Sequence, residues 1–247
     1  MIRDTIKWLL FPGINLHARL RYRVLPQFLP VPKDPDASVL DAGCGNGMLT
    51  YQAYRKGYRA VGISIKADEI ARNKRLFNNH LGIPEARLSF MEFNLYNLDK
   101  LGMQFDHVIC SEVLEHIRDD ERVCRSFFQV LKEGGVLHLC CPNADHPDNR
   151  NHVLDPHEKG GHVRPGYTMQ SYRELLEPIG FVLQEPIGLG GAIRQSLNKT
   201  IRACESFLGL PGGVACFLLV SPLLLLESKR NTVPYSLYVR AVKPKPE

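Results

Sequence analysis

The chain lacks the residue spacings of a structural zinc site and of a disulfide framework. Its seven cysteines are an odd number among 247 residues, and none stands in a Cys-x-x-Cys pair. Cys110, Cys140, Cys141 and Cys216 lie inside apolar runs, where a free cysteine packs as a small hydrophobic side chain. We therefore expect reduced, partly buried thiols in a reducing compartment.

Long apolar segments and strong charge are also missing. The longest apolar run, residues 214–226, is broken by Ser221 and Pro222 and is shorter than the about 20 residues of a membrane-spanning helix. The beginning of the sequence has no signal-peptide pattern. A net charge of +5 is too small to indicate a nucleic-acid partner. These absences favour a cytoplasmic protein that can touch a membrane surface, and they leave the oligomeric state open.

From residue 38 onward, short apolar runs alternate with segments of helical pattern. The predicted strands fall at residues 38–42, 60–65, 88–93, 107–110 and 136–141. Helical patterns separate them, for example at 66–80 and at 119–132, where Gly134 and Gly135 are expected to end the helix. Strands that alternate with helices of this length form a parallel sheet with right-handed crossovers. The sequence therefore predicts an α/β domain whose sheet is covered on both faces.

A glycine-rich turn joins the first predicted strand to the following helix. Residues 39–47 read Val-Leu-Asp-Ala-Gly-Cys-Gly-Asn-Gly. Glycine allows turns closed to other residues and a close approach to a ligand, and the start of the helix offers free N–H groups. Dinucleotide-binding loops carry Gly-x-Gly-x-x-Gly, whereas here the spacing is Gly-x-Gly-x-Gly with Asp41 before it. An acid at this place suits a cationic amino-acid group and would repel a pyrophosphate.

This loop resembles the first signature of the class I S-adenosylmethionine-dependent methyltransferases. Further matches follow in order at 60–64, 92–95, 105–117 and 131–137, so the resemblance covers residues 37–185 and the last strand. The Glu-Val-Leu-Glu-His run at 112–116 is similar to the ubiquinone-biosynthesis (type 11) O-methyltransferases. The resemblance implies a Rossmann-like, doubly wound, seven-stranded, mostly parallel α/β sheet with an antiparallel last strand. It also implies an enzyme that uses S-adenosylmethionine and releases S-adenosylhomocysteine.

The resemblance assigns cofactor contacts to the ends of the predicted strands. Ser64 stands where the family usually has an acid that accepts from the ribose hydroxyls, and Asn94 stands where an Asp usually accepts from adenine. Each replacement keeps one hydrogen-bonding oxygen in place. The full set of expected cofactor-binding residues is Asp41, Gly43, Cys44, Gly45, Asn46, Gly47, Ser64, Ile65, Asn94, Leu95 and Ser111.

Two acids and a histidine follow the fourth predicted strand. If a helix opens at Glu112, then Glu112, Glu115 and His116 share one helix face at the carboxyl edge of the sheet. Such side chains can hold a divalent cation (Mg²⁺, Mn²⁺ or Zn²⁺), and His162 is the first candidate for a fourth ligand. In the O-methyltransferases that this run resembles, the cluster is associated with a metal at the acceptor. Alternatively, Glu115 and His116 are catalytic without a metal, with His116 as general base, or they only shape the pocket.

Segments outside the core are expected to build the acceptor pocket. The chain is predicted to form a single domain, 1–247, with a helical lid at 1–34, a core at 37–185, a helical insertion at 186–232 and a last strand at 235–243. One of Arg19, Arg21 and Arg23 is a candidate partner for the methionine carboxylate. The apolar insertion fits a hydrophobic acceptor, a membrane surface, a cover for the sheet edge or a dimer interface. Three histidines of the polar loop, His146, His152 and His157, are expected on the surface.

The leading hypothesis is methyl transfer to a hydroxyl oxygen of a small or lipid-like acceptor. Because the sulfonium is an activated methyl donor, the enzyme must mainly align the acceptor and remove its proton. Three alternatives remain: C- or N-methylation of a lipid or small molecule, ribose 2′-O-methylation of RNA, and a non-catalytic S-adenosylmethionine-binding protein. Binding of RNA needs a strong basic groove or an added module, and the sequence indicates neither.

Overall fold

The computed structural model describes residues 12–155, 157–227 and 233–246. Within them the chain forms a mixed sheet of eight strands in the order β3-β2-β1-β4-β5-β8-β6, with β7 also paired to β8. β1 to β5 are parallel, and β8 runs antiparallel to β5, β6 and β7. The strands are Ser38–Ala42 (β1), Arg59–Ser64 (β2), Leu88–Glu92 (β3), Phe105–Ser111 (β4), Leu131–Pro142 (β5), Val182–Leu183 (β6), Ile187–Leu189 (β7) and Ser236–Val242 (β8).

Both faces of the sheet are covered by apolar side chains. Successive residues of a strand point to opposite faces, and Val39 and Leu40 of β1 belong to two different core clusters. This arrangement confirms the predicted Rossmann-like α/β fold. The α-helices are Leu16–Val24 (α1), Met48–Arg55 (α2), Ala67–Asn73 (α3), Asp120–Val130 (α4), Pro147–Arg150 (α5), Met169–Leu176 (α6) and Ala192–Val220 (α7).

The sheet has eight described strands rather than the expected seven, because the segment after α6 forms two short strands. Val182 in β6 lies opposite Val242, whereas Ile187 in β7 lies opposite Tyr238. Pro186 stands between the two strands and has no N–H to donate, so pairing along β8 is interrupted there.

One predicted helix changes type along its length, and another ends earlier than expected. The pattern at 66–80 becomes α3 followed by a π-helical segment, Lys74–His80. The helix predicted at 119–132 ends earlier, because Leu131 already pairs with Phe105 in the sheet. Gly134 and Gly135 therefore lie inside β5 and do not end a helix. A Cβ on Gly135 would come within 2.8 Å of the carbonyl oxygen of Lys132, so this irregular stretch of strand excludes a larger residue.

The functional edge of the sheet is fixed by its strand order. From β1 the chain moves outward through β2 and β3, then returns to place β4 on the other side of β1. The loops after β1 and β4 thus diverge and leave a crevice at the carboxyl ends of these strands, where α/β proteins bind ligands. Asn15 begins α1 by accepting hydrogen bonds from the N–H groups of His17 and Ala18.

The predicted helical insertion is a helical hairpin. Gly209 has a φ of +69° and Pro211 follows, and neither fits a continuous helix. Beyond this break the chain doubles back, since a Cβ built on Gly213 would lie 2.8 Å from the Cβ of Glu205 and 3.0 Å from Cδ1 of Ile14. We call residues 192–226, which are α7 and the following 3-10 turn, the α7 hairpin. Residues 1–11 of the predicted lid and 228–232 of the insertion lie outside the described residues.

The α7 hairpin also corrects the expectation about apolar segments. By length and composition Ala192–Leu226 could cross a membrane, with a mean hydropathy of 2.0 in its most apolar window. The run 214–226 alone is shorter than a membrane span, and the apolar residues before the break at Gly209 bring the segment to that length. Only 11% of that window is buried in the structure, which is not the environment of a core helix.

Candidate active site

The glycine loop after β1 has the backbone that its sequence requires. Gly43, Gly45 and Gly47 have φ values of +82°, +52° and +75°. A Cβ on Gly43 would lie 2.3 Å from Cγ2 of Val113, and one on Gly47 would lie 2.8 Å from the ring of Phe77. In contrast, a Cβ on Gly45 would meet no atom within 4 Å. Two of the glycines therefore serve packing, and Gly45 faces open space where a ligand can approach the backbone.

Asp41 lies at the base of this loop and is buried. Thr50 in α2 donates a hydrogen bond of 2.6 Å to its Oδ2 atom. Burial is the largest influence on this carboxyl group and raises its pKa to about 6, although the Thr50 hydrogen bonds act in the opposite direction. The neighbouring Cys44 is buried as well, and Asn73 donates to the carbonyl oxygen of Gly45 at 2.9 Å. The loop is thus held from below by α2 and α3.

Asn46 connects the loop to the N-terminal segment. Its Oδ1 atom accepts from the hydroxyl of Tyr22 at 3.2 Å and from the N–H of Met48 at 3.1 Å, and its Nδ2 atom donates to the carbonyl of Pro12. α1 therefore lies against the glycine loop, and it belongs to the N-terminal segment that was expected to form a lid over the cofactor.

The residues expected to contact the cofactor after the second, third and fourth strands differ in how exposed they are. Asn94 accepts a hydrogen bond from the N–H of Tyr96, so its side chain begins the 3-10 segment Leu95–Leu101. Leu95 is buried in the core, which leaves only its backbone for a ligand. Ile65 is 65% exposed beside the end of β2, and Ser111 ends β4 with a buried hydroxyl.

Glu112 does not open a helix, and that expectation was wrong. The residue has a φ of +57°, and its N–H donates to the carbonyl of Cys140 at 2.7 Å. Its side chain lies 3.3 Å from a guanidinium nitrogen of Arg21 and accepts from the hydroxyl of Ser236 at 3.3 Å. The short 3-10 turn Leu114–His116 comes afterwards and contains the next acid, Glu115, which is buried.

Glu115, His116 and His162 are brought together at the carboxyl edge of β4. Each offers a ligand atom within 4.8 Å of the others, and Glu112 is not part of this group. Both carboxylate oxygens of Glu115 are buried without a hydrogen-bond partner among the described residues. Nδ1 of His116 lies 2.8 Å from the carbonyl of Gly161, so it carries the proton and leaves Nε2 with a free lone pair. Nε2 is 3.9 Å from Oε1 of Glu115.

This group fits a divalent cation. Ligands at about 2.0–2.3 Å from one ion lie roughly 3–4.5 Å from each other, which is close to the spacing here. An ion would also satisfy the two buried oxygens of Glu115, whose pKa is raised well above its ordinary value by burial and next by the charge of Glu112. One carboxylate and two imidazoles suit Zn²⁺ or Mn²⁺ better than Mg²⁺, which prefers oxygen ligands.

A sequence model of the family described as methyltransferase domain matches residues 15–185, more than half of the chain. The protein belongs to this methyltransferase family. The mitochondrial ubiquinone biosynthesis O-methyltransferase of Mus musculus is 28% identical over 162 residues, which are 61% of this chain and 43% of that protein. The enzyme of the same name from Xanthomonas euvesicatoria is 32% identical over 111 residues, 43% of this chain and 44% of that protein. The chain thus spans less than half the length of these relatives.

Solved structures agree with the methyltransferase assignment at the level of the fold. Phosphoethanolamine N-methyltransferase 2 of Haemonchus contortus, solved with S-adenosyl-L-methionine, aligns with a TM-score of 0.63 at 17% identity. The alignment covers 95% of this chain and 57% of that one. The family match and the shared fold confirm the identification of the chain as a methyltransferase with a Rossmann-like fold.

The methyltransferase carries an acid beside Ser64 that the sequence analysis missed. The hydroxyl of Ser64 donates to Oε2 of Glu69 at 2.8 Å, and the side chain of Glu69 is 20% exposed. Glu69 lies in the first turn of α3, which starts soon after β2 ends. A carboxylate thus stands next to the position where the family usually has one at the strand end. The signal was present in the sequence as an acid in the first turn of the following helix.

Among the three lid arginines of the methyltransferase, Arg21 lies closest to the predicted site. It is largely buried and forms the ion pair with Glu112. Arg19 instead donates to the carbonyl of Gly13 and stacks over the ring of Phe217, and Arg23 is exposed. Arg21 is therefore the candidate of the three for binding the methionine carboxylate.

The polar loop of the methyltransferase is folded around Asp155. Its carboxylate accepts hydrogen bonds from three backbone N–H groups at 157, 159 and 161, and this turn presents the Gly161 carbonyl to His116. His162 follows directly, with burial and the neighbouring histidines lowering its pKa to about 4. His152 and His157 are exposed as predicted, although the ring of His152 lies 4.6 Å from that of His162.

The expectation for His146 was wrong. It is buried, it accepts a hydrogen bond from the N–H of Asp148 at 3.3 Å, and it thereby begins α5. The sequence around it is polar and turn-rich, which favours exposure, but the ring packs against Tyr235 from the segment before β8. A contact between positions so distant in the sequence leaves no local signal.

Proposed function

We propose that the protein transfers the methyl group of S-adenosylmethionine to a hydroxyl oxygen of a small or lipid-like acceptor. The observation that carries the proposal is the group of Glu115, His116 and His162 at the carboxyl edge of β4, beside the glycine loop. A basic group at this place is what removal of a hydroxyl proton needs. The relatives named ubiquinone biosynthesis O-methyltransferase support oxygen as the target and a lipid-like acceptor.

The cofactor would be held by the loop and by the ends of the first strands. The open space at Gly45 would admit the amino-acid part, with Asp41 at the base of the same loop and Arg21 on the lid helix, beside Glu112. Glu69, with Ser64 beside it, is placed to accept from the ribose hydroxyls. These contacts fix the methyl group toward the crevice, so that an acceptor can attack in line.

Glu115, His116 and His162 would hold a divalent cation on the acceptor side. Such an ion would act as a Lewis acid that lowers the pKa of an acceptor hydroxyl. The alternative role of His116 is that of general base, because Nε2 can accept a proton while Nδ1 stays hydrogen-bonded to the carbonyl of Gly161. The Asp155 turn keeps this tautomer by holding the Gly161 carbonyl in place.

The test measures metal binding and turnover on the same variants. Mg²⁺, Mn²⁺ and Zn²⁺ are titrated calorimetrically into protein saturated with S-adenosylhomocysteine, and methyl transfer from labelled S-adenosylmethionine is assayed on catechols and vicinal diols. Wild type is compared with His116→Ala and His162→Ala, and with His157→Ala as the matched exposed control from the same loop. We expect stoichiometric binding of Zn²⁺ or Mn²⁺ that the two site variants lose and the control keeps.

The outcomes separate the parts of the proposal. Loss of turnover in His116→Ala without any metal binding in wild type would remove the cation and leave His116 as the base. Turnover on amine or carbon acceptors but on no hydroxyl would overturn O-methylation. Cofactor binding with no turnover on any acceptor, in wild type and variants alike, would indicate a non-catalytic binding protein.

A further inference from the structure

The α7 hairpin exposes an apolar surface that nothing in the described part of the chain covers. Phe207 is 87% exposed and Leu225 is 91% exposed, values at which a side chain has almost no neighbours. Half of the 16 large hydrophobic residues that are exposed in the described chain lie in this short segment, so the exposure is not scattered. The eight are Phe207, Leu208, Leu210, Leu218, Leu219, Leu223, Leu225 and Leu226.

The hairpin is attached to the domain by its inner face only. Ile201 is buried against Ile14 and Leu16 beside α1, and Phe217 packs on the same small cluster. Arg19 of α1 stacks over the Phe217 ring at 4.7 Å. The apolar residues at the tip around Gly209 and on the outer side of the returning arm are exposed among the described residues, so they form a protrusion there.

The charges are arranged as in a segment that enters a lipid interface. No residue from Ser206 to Leu226 is charged. At the base of the hairpin, Arg202 is exposed, Lys199 is paired with Asp148 at 2.8 Å, and Lys229 and Arg230 follow the returning arm in the sequence. Of the two acids at this end, Glu227 is neutralised by Arg194 at 2.7 Å, and the exposed Glu205 is outnumbered by Arg202, Lys229 and Arg230. An uncharged apolar tip above a basic base is complementary to the acyl chains and anionic headgroups of a bilayer.

We propose that the α7 hairpin inserts its tip into one leaflet of an anionic membrane without crossing it. The break at Gly209 turns the chain back, so the first arm, residues 192–208, is about 25 Å long and does not continue through the bilayer. α1, which packs on the hairpin, also lies against the glycine loop through Tyr22 and Asn46. Docking by the tip therefore turns the lid side of the site toward the lipid. This inference does not depend on the identity of the acceptor.

The first experiment is vesicle flotation of the full chain. Vesicles of phosphatidylcholine alone and of phosphatidylcholine with phosphatidylglycerol are compared for wild type, Phe207→Ser and Leu208→Ser. Val31→Ser is the matched control, because Val31 is also exposed and apolar but lies outside the hairpin, in the segment before β1. We expect each tip variant to weaken partitioning by about tenfold, as loss of one inserted large apolar side chain predicts, and the control to match wild type. Bound S-adenosylhomocysteine and the unfolding midpoint confirm that each variant is folded.

The second experiment reports the depth of the tip directly. Trp8 is the single tryptophan, so Phe207→Trp is made in a Trp8→Phe background. Its emission should shift to the blue on addition of anionic vesicles and be quenched by brominated acyl chains in one leaflet only. Emission that is already blue-shifted without vesicles would mean that the chain itself covers the tip. A dimer that dissociates on Leu208→Ser, with no flotation of wild type, would assign the surface to a second copy. Either result overturns the proposal.

Discussion

A chain of buried hydrogen bonds crosses the centre of the sheet and makes stability depend on pH. The hydroxyl of Tyr58 lies 3.2 Å from Nε2 of His107, Nδ1 of His107 lies 3.1 Å from Nε2 of His138, and Nδ1 of His138 lies 2.7 Å from the hydroxyl of Tyr238. Burial lowers the pKa of His107 from 6.5 to about 4, with the Asp106 carboxylate opposing. Burial, then His107 and Arg240, lower the pKa of His138 well below its ordinary value.

The size of this pH dependence follows from the proton that His107 binds only in the unfolded chain. Between pH 6.5 and about 4 the unfolded state protonates His107 while the folded state does not. The free energy of unfolding therefore falls by about 1.4 kcal/mol per pH unit in this window, or about 3 kcal/mol in total for this residue. The contribution is fully present above pH 6.5 and is lost as the pH falls. Asp41, with its pKa raised to about 6, acts in the opposite direction. The pH dependence of wild type alone therefore does not isolate the contribution of His107.

The assay compares the free energy of unfolding of two proteins. Urea unfolding of wild type and His107→Gln is measured from pH 7 to pH 4, and the gap between the two free energies is plotted against pH. The contribution of Asp41 is common to both and cancels. As the pH falls from 7 to 4, we expect the free energy of unfolding of wild type to decrease by about 3 kcal/mol relative to that of the variant. A gap that stays constant across this range would show that His107 is not held neutral and would refute the reasoning.

Three further outcomes test the cofactor site. Glu69→Gln should weaken S-adenosylhomocysteine binding by about tenfold in calorimetry, since a charge-assisted bond beside Ser64 is lost, with little change in unfolding. Gly43→Ala should lower the free energy of unfolding by about 2–4 kcal/mol in urea, because its Cβ meets Val113 at 2.3 Å and its φ is +82°. Gly45→Ala has open space and should cost only about 1 kcal/mol, but it should reduce cofactor affinity more than it reduces stability. Equal effects of the two glycine variants on unfolding would contradict this division of roles.

The alternation of strands and helices and the glycine loop were predictable because their signals are local. A continuous apolar strand followed by Gly43, Gly45 and Gly47 is contained in nine residues, and each glycine indeed has a positive φ. The cluster at 112–116 was recognisable from its residue types as a candidate catalytic or metal-binding site. Its geometry was not, because the positive φ at Glu112 depends on a hydrogen bond to Cys140 in the neighbouring strand.

The sequence by itself determined the α/β alternation, the family and the residue types of the site, since periodicity and motif spacing are properties of adjacent residues. Tertiary structure decided which side chains meet. It paired Glu112 with Arg21 and joined His162 to Glu115 and His116 through the turn at Asp155. It also left much of the apolar surface of the α7 hairpin exposed, although an apolar insertion fits a cover for the sheet edge equally well. Contacts between distant segments depend on how the chain packs, and no local pattern specifies them.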